Sequence, residues 1–309
     1  MNRLRRFFRV HPMSWTPRET LVMRLLFALV ILFSGILWEA AKLPPAGEPL
    51  KAANGLAKLL PLGWMANPQV LTAGKLLTAA GLGFYVAGLA PVLSLLPALV
   101  FMLGTGSLRN SMGDISHHTQ LVALVLLGQW IVCLVGAIRE KSWLRSSPEL
   151  RQRLVFWSIL IISSTYLASG ITKLRASDYE WIQRTPRLSV QIIKSVSSAT
   201  YSSGQPVSGF KAETAPMLIA RHPHLAQLFF APGLLLELGA ALMVLSLRHA
   251  RWIALTLIAM HFSISVIMEI DFLNHVLLLL IFAVNVPGWF IRKPKPAAES
   301  ALPVDAAAV

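Results

Sequence analysis

The dominant pattern along the chain is a series of long apolar stretches separated by short polar connections. A helix needs about 20 mostly apolar residues to cross a bilayer. Eight stretches have this character, at residues 20–41, 69–89, 91–108, 118–138, 153–174, 226–247, 252–270 and 273–291. The pattern therefore predicts an all-α, polytopic membrane bundle of about eight transmembrane helices.

Three details of the pattern affect this count. Only GLAP, residues 88–91, separates the second and third stretches. They form either a tight hairpin or one bent segment, and in the second case the total is seven spans. The stretch 51–64 is too short and too interrupted to span, so we expect it at the membrane interface. The first apolar run is long for a signal peptide, and we interpret it as a retained span.

The distribution of lysine and arginine predicts the orientation. These residues cluster at the N-terminus, after the fourth and sixth stretches, and after the last one. With eight spans all four clusters lie on one side, which the positive-inside rule makes cytoplasmic, together with both termini. Residues 1–292 then form a membrane domain, 293–309 a disordered tail, and 175–225 an extracytoplasmic loop. This loop is long enough for a lid or cap, partly helical from Pro186 to Ser198.

Composition agrees with a multi-pass protein of the cell (inner) membrane whose main partner is the lipid bilayer. The chain is 55% hydrophobic and 14% charged, whereas soluble domains have about 25% charged residues. In a multi-spanning protein, the bias of lysine and arginine toward cytoplasmic loops is the ordinary explanation for a net charge of +14. The basic residues are not interleaved with stacking aromatics, which argues against nucleic-acid binding. The single cysteine, Cys133, excludes an internal disulfide and a cysteine-based metal site or redox couple, and we predict no metal.

Ionisable side chains within the apolar stretches are the candidates for function, because burying them in a bilayer is costly. Each also has an ordinary explanation: Lys75 can snorkel to the interface, Glu269 can be a boundary charge, and His261 can be a hydrogen-bonded core residue. Glu237 lies in mid-span and requires a cationic partner or a protonated carboxyl group. The full set comprises Lys75, His118, Lys173, Glu237, His261, Glu269 and His275.

The eight-span topology predicts that part of this set converges. His118, Lys173, Glu269 and His275 all fall near the extracytoplasmic ends of their spans. Lys173 is then either a snorkelling anchor at a span end or a base in a dry pocket. A desolvated lysine can be a neutral amine that accepts a proton. Gly170, just before it, would let another helix or a flat ligand approach closely.

Three segments resemble the HTTM family, which contains the vitamin K-dependent gamma-glutamyl carboxylases. TYLASGITKL, residues 165–174, resembles the family's Y-x-x-A/S-G-x-x-K-L signature. SHHTQLVALVLLG, residues 116–128, resembles a family helix that opens with a polar–His–polar group. LIAMHFSISVIMEIDFLNHVLLLLIF, residues 257–282, looks like the later paired spans. The similarity extends over most of residues 15–292.

The resemblance implies specific roles at the extracytoplasmic face. Lys173 matches the lysine that deprotonates vitamin K hydroquinone in the carboxylases, and His118 matches a histidine that assists carboxylation. It implies a reduced, vitamin K-like quinone as cofactor and a carboxylase or quinol-oxidising, lyase-like activity. Together with the predicted convergence, it makes the following residues candidates for cofactor binding: Gly170, Glu237, His261 and His275.

The chain also departs from the carboxylases. They carry a large extramembrane C-terminal region, whereas 18 residues follow Ile291 here, and Trp181 stands eight residues after Lys173, displaced from the family's position. Three functions therefore remain open. The first is an enzyme acting on a quinol or a secreted peptide. The second is a non-catalytic accessory factor that matures a secreted peptide, as in family members of the sporulation-delaying protein B type. The third is a proton-coupled carrier using Glu237, His261 and Glu269.

Overall fold

The computed structural model describes residues 15–40, 43, 45, 47, 50–112, 119–144, 147–206, 209–268 and 270–291. These residues form helices and no strand, which confirms the predicted all-α class. The first helices are α1 (Pro17–Ile31, continued as a π-helix over Leu32–Glu39), α2 (Pro68–Ala87), α3 (Pro91–Asn110), α4 (Gln120–Glu140) and α5 (Pro148–Ala176). The later ones are α6 (Leu188–Ser203), α7 (Ala215–Arg221), α8 (Pro223–Gly239, continued as a 3₁₀-helix over Ala240–Leu245), α9 (Leu247–Met268) and α10 (Leu273–Leu278, continued as a π-helix over Leu279–Val284).

Polar caps followed by proline set the starts of several long helices. Thr16 and Glu19 form a reciprocal capping box at the start of α1. The side chains of Asn67 and Ser147 accept hydrogen bonds from backbone N–H groups in the first turns of α2 and α5. A proline follows each cap at the first helical position, where its missing N–H needs no partner.

Six helices in the described part of the chain are long and apolar enough to cross a membrane: Pro68–Ala87, Pro91–Asn110, Gln120–Glu140, Pro148–Ala176, Pro223–Leu245 and Leu247–Met268. They correspond to six of the eight predicted stretches. The first predicted stretch is helical over Pro17–Glu39, and the last begins with a shorter apolar helix, Leu273–Val284. The fold is therefore that of a multi-pass helical protein, and the total of eight spans stays a prediction.

The second and third stretches form a helical hairpin rather than one bent segment. The chain reverses at Gly88 and Ala90, whose φ angles are 76° and 41°. The two helices then pack so closely that Gly81 of α2 lies against the carbonyl oxygen of Ser94 of α3, where a Cβ would not fit. The GLAP sequence is thus a turn between two helices.

Contacts between the connections show which helix ends lie together. The Asn285 side-chain amide donates to Glu19 (3.3 Å) and the Arg251 guanidinium donates to the carbonyl of Val284 (3.1 Å). The backbone N–H of Ala90 donates to Leu144 (2.9 Å), and Gly88 lies against the Arg24 side chain. We call this end of the bundle the basic face, because it carries Arg18, Arg139, Lys141, Arg151, Arg153, Arg248 and Arg251.

The opposite end is covered by two short folded segments. Residues 50–66 contain two 3₁₀ turns and dock on the end of α3, where Ala52 N–H donates to the Ser111 carbonyl (3.0 Å). Residues 177–222, which we call the cap, contain α6 and α7. The predicted helix from Pro186 to Ser198 is confirmed as α6 with a preceding 3₁₀ turn, Thr185–Arg187. The cap buries Ile192, Val196 and Ile219 against Phe230 of α8 and Met268 of α9.

Candidate functional site

Lys173 lies in the last turn of α5, directly below the cap. Its helix approaches α8 closely because Gly170, one turn earlier, has no side chain. A Cβ at Gly170 would lie 3.0 Å from the Leu238 side chain and 3.3 Å from the Cβ of Glu237. This close approach brings the Lys173 ammonium group within reach of the carboxylate on the neighbouring helix.

Lys173 and Glu237 form a two-pronged ion pair. The Nζ atom of Lys173 donates to both carboxylate oxygens of Glu237, at 2.6 and 2.7 Å, and Ser169 Oγ lies 3.4 Å from one of them. The Glu237 side chain is 6% exposed and that of Lys173 is 36% exposed. The structure thus supplies the cationic partner that the mid-span position of Glu237 requires.

A cluster of aromatic rings with polar atoms lies beside the ion pair. The ring of His261 stacks on Phe272 with centroids 4.4 Å apart, and its Nε2 atom lies 2.6 Å from the Tyr166 hydroxyl. The ring of His275 is 5.6 Å from that of His261 and 6.4 Å from that of Tyr166. The other ring nitrogen of His261, Nδ1, is buried and has no hydrogen-bond partner among the described residues.

Both groups line one polar cavity of about 360 Å³. The cavity is enclosed by α4, α5, α8, α9 and α10, and its polar lining comprises Gln120, Thr165, Tyr166, Ser169, Lys173, Glu237, His261 and His275. The cavity therefore offers a cation, a carboxylate and two imidazoles within one enclosure. No group of three or more His, Cys, Asp or Glu side chains suited to hold a metal ion occurs in the described ranges.

An apolar cavity of about 420 Å³ adjoins the polar one. It runs between α8 and α9 and is lined mainly by apolar side chains, among them Phe229, Leu236 and Ile270. Lys173, Met260, Ile264 and Phe272 line both cavities. Lys173 thus stands where a polar chamber meets an apolar one.

The cap contributes an aromatic wall at this junction. The chain leaves α5 through Asp178 and Tyr179, whose φ angles of 52° and 65° are uncommon for residues other than glycine. This turn returns the chain over the end of α5, and the ring centre of Trp181 lies 5.5 Å from Lys173 Nζ. At that distance the ring face attracts the ammonium group.

The structure brings together four of the predicted site residues and places a fifth beside them. Lys173, Glu237, His261 and His275 all line the polar cavity. Gly170 lies at the helix contact behind it and is not among the lining residues. Of the other three candidates, His118 and Glu269 lie outside the described residues, and Lys75 is on α2 and does not line the cavity.

Three aromatic residues of the site were not among the predicted ones. Tyr166 lies within the signature segment, seven residues before Lys173, and this spacing of two helical turns places it on the same face. Phe272 and Trp181 come from connections, where no periodic pattern distinguishes a cavity wall from an ordinary interfacial aromatic residue.

Comparison of the chain with protein-family models, with curated proteins and with solved structures gave no match. The class is therefore defined by the fold and the site alone. The protein is helical, with six apolar helices that mark it as a multi-pass membrane protein. Its distinguishing feature is a polar cavity built around an ion pair between two of these helices.

Proposed function

We propose that the protein binds an amphipathic, lipid-soluble molecule at the junction of the two cavities and removes a proton from it. The class of molecule that fits best is a reduced quinone, as the resemblance to the carboxylase-like family also implies. The observation that carries this proposal is that Lys173 lines both a polar and an apolar cavity.

The dimensions and chemistry of the cavities suit such a ligand. Pockets for drug-sized molecules have volumes of about 300–1,000 Å³, so the polar cavity of about 360 Å³ has room for a fused ring. Lys173, His261 and His275 supply polar groups for ring oxygens. The apolar cavity would hold a hydrocarbon tail among Phe229, Leu236 and their neighbours.

The ion pair gives the site a way to accept a proton. When Lys173 passes one of its protons to Glu237 across their hydrogen bond, its amine is free to accept a proton from an O–H group of the ligand. The net change is that the ligand loses a proton, Glu237 becomes a neutral acid, and Lys173 ends as a cation beside the new negative charge. A bound quinol would supply the acidic O–H group and redox chemistry, whereas the chain supplies the base and the charge that stabilises the product.

The alternative is a non-catalytic accessory factor for a secreted peptide. One observation favours it: both carboxylate oxygens of Glu237 are occupied by Lys173, as in a structural ion pair between two helices. In that case the cap would be the functional element. Deleting the cap would abolish function, whereas replacing Lys173 by alanine would not.

Binding can be tested with a naphthoquinone that carries an isoprenoid chain, because quinones quench tryptophan fluorescence on contact. The protein in nanodiscs should be quenched saturably, and the saturable part should disappear in Trp181→Phe. A phenylalanine at position 233 would fill the apolar cavity, which Gly233 lines. Gly233→Phe should therefore weaken binding at least tenfold.

The matched control is Gly83→Phe. Gly83 lies on α2, is exposed, and has no atom within 4 Å of where its Cβ would be. This variant adds the same ring to the bundle away from the cavity and should bind like the wild type. Equal quenching of the wild type and both glycine variants would show that the cavity is not the binding site.

A further inference from the structure

A groove lies on the outer side of the bundle between α4 and α5. Its arginine end is at the basic face, away from Lys173, and at the other end Leu124 lines both the groove and the polar cavity. The groove has a volume of about 450 Å³. The lining positions on α4 and on α5 repeat with the period of a helix, so each helix contributes one continuous stripe along one of its faces. The lining residues are Leu124, Leu127, Gly128, Ile131, Val132, Val135 and Arg139 on α4, and Arg153, Trp157 and Ile161 on α5.

The groove is apolar along its length and cationic at one end. Arg139 lies in the last turn of α4 and Arg153 in the second turn of α5, so both guanidinium groups lie at the basic face. Among the described residues, the only carboxylate within ion-pair distance of either arginine is that of Glu140. Its oxygen lies 3.9 Å from the Arg153 guanidinium. Arg139 has no hydrogen bond or ion pair to any residue in the described ranges.

We propose that this groove binds an anionic glycerophospholipid from the leaflet on the basic face. The phosphate would lie between Arg139 and Arg153, and one acyl chain would follow the two stripes. The groove extends along α4 from Leu124 to Arg139, and the 15 steps between these residues span about 22 Å at ~1.5 Å per residue. One leaflet is ~15 Å deep, which is half of a ~30 Å hydrocarbon core. The groove is therefore long enough for an acyl chain of that leaflet.

Charge and packing both favour a lipid over another occupant. Guanidinium groups bind phosphate through paired hydrogen bonds, and basic pockets between transmembrane helices on the cytoplasmic side suit anionic headgroups. Trp157, 44% exposed in the groove wall, provides a flat apolar surface one turn from Arg153. Gly128 lies against the Ile161 side chain and brings the helices together at the far end of the groove.

Native mass spectrometry tests the proposal. The purified protein is mixed with equimolar phosphatidylglycerol and phosphatidylcholine that have identical acyl chains. The wild type should retain phosphatidylglycerol preferentially. Each arginine near a membrane surface contributes roughly 1 kcal/mol toward an anionic lipid, which is about fivefold in affinity. The double variant Arg139→Gln/Arg153→Gln should therefore lose the preference by roughly 25-fold if the two contributions add.

Three controls make the result specific to the groove. Arg18→Gln/Arg248→Gln removes the same charge from exposed positions of the same face and should keep the preference. Val135→Trp fills the groove without changing charge and should reduce retention of phosphatidylglycerol. Glycerol phosphate, which has the headgroup chemistry without acyl chains, should not compete at millimolar concentration.

The proposal fails on any of three results. The first is an equal loss of preference in both arginine pairs, which would indicate a general surface charge effect. The second is undiminished retention in Val135→Trp. The third is displacement of the lipid by glycerol phosphate, which would indicate an anion site that does not need the groove. An unchanged thermal midpoint in phosphatidylcholine would show that the variants are folded.

Discussion

Lys173 and Glu237 differ in how far their side chains are exposed, and this difference decides how each residue responds when its partner is removed. Glu237 is almost fully enclosed, whereas about a third of the Lys173 side chain is exposed. Removing one partner of a buried pair is strongly destabilising because the other is left as an uncompensated charge. Lys173 can move its ammonium group outward, but Glu237 cannot leave the helix interface.

Removal of the lysine should therefore destabilise the protein more than removal of the carboxylate. We expect Lys173→Met to lower stability by about 3 kcal/mol, because it leaves the Glu237 charge unpaired. Glu237→Gln should cost clearly less. The double variant Lys173→Met/Glu237→Gln should recover most of the loss, as a double-mutant cycle measured by thermal unfolding in one detergent would show. Additive effects would mean that the two side chains do not interact.

At this scale the sequence was informative about which residues matter and uninformative about how they pair. An ionisable side chain in an apolar stretch is recognisable from its neighbours alone, so Lys173, Glu237, His261 and His275 could be selected. Lys173 and Glu237 are 64 positions apart, and no spacing rule says which faces of α5 and α8 meet. Their direct hydrogen bond therefore required the structure.

The elements around the site divide into a bundle that holds the ion pair and a cap that covers it. The apolar stretches predicted the positions of the long helices well, because the bilayer thickness fixes their length. The cap was predicted only as a long loop with one helix. Its docking depends on a few apolar residues, such as Ile192 and Ile219, that meet residues of α8 and α9 distant in sequence.

The cap provides a paired test of its docking, because two adjacent isoleucines of α6 lie in opposite environments. Ile192 is fully buried and Ile193 is 51% exposed. Truncating a buried isoleucine to alanine costs about 2–5 kcal/mol, so Ile192→Ala should loosen the cap. Hydrogen exchange within Leu188–Ser203 should accelerate by more than tenfold in Ile192→Ala. It should remain near the wild-type rate in Ile193→Ala, and equal acceleration in both variants would exclude a packed cap.

The two ends of the molecule are built from different segments. The basic face gathers the turns between α2 and α3 and between α4 and α5, while the cap and residues 50–66 cover the other end. This alternation agrees with an even number of crossings, and the positive-inside rule predicts that the basic face is cytoplasmic. The ion pair then lies near the extracytoplasmic end of the bundle.

Cysteine labelling tests this orientation with little background, because Cys133 is fully buried. Tyr201 of the cap is 89% exposed and Leu144 on the basic face is 70% exposed. In intact cells or spheroplasts an impermeant maleimide should label Tyr201→Cys directly and Leu144→Cys only after permeabilisation. The opposite pattern would place the cap and the ion pair on the cytoplasmic side.

The central claim is that Lys173 takes part in proton transfer rather than only holding α5 to α8. The variant Lys173→Arg tests it most directly, because arginine keeps the positive charge and the ion pair but stays protonated at any working pH. The measurement is the ultraviolet spectrum of a naphthoquinol added anaerobically to the protein in nanodiscs. Its absorption moves to longer wavelength when a hydroxyl proton is lost.

We expect the wild type to produce this shift and Lys173→Arg to bind the naphthoquinol, with Trp181 quenched, but to leave it protonated. A shift of equal size in Lys173→Arg would contradict the account and reduce Lys173 to a structural cation.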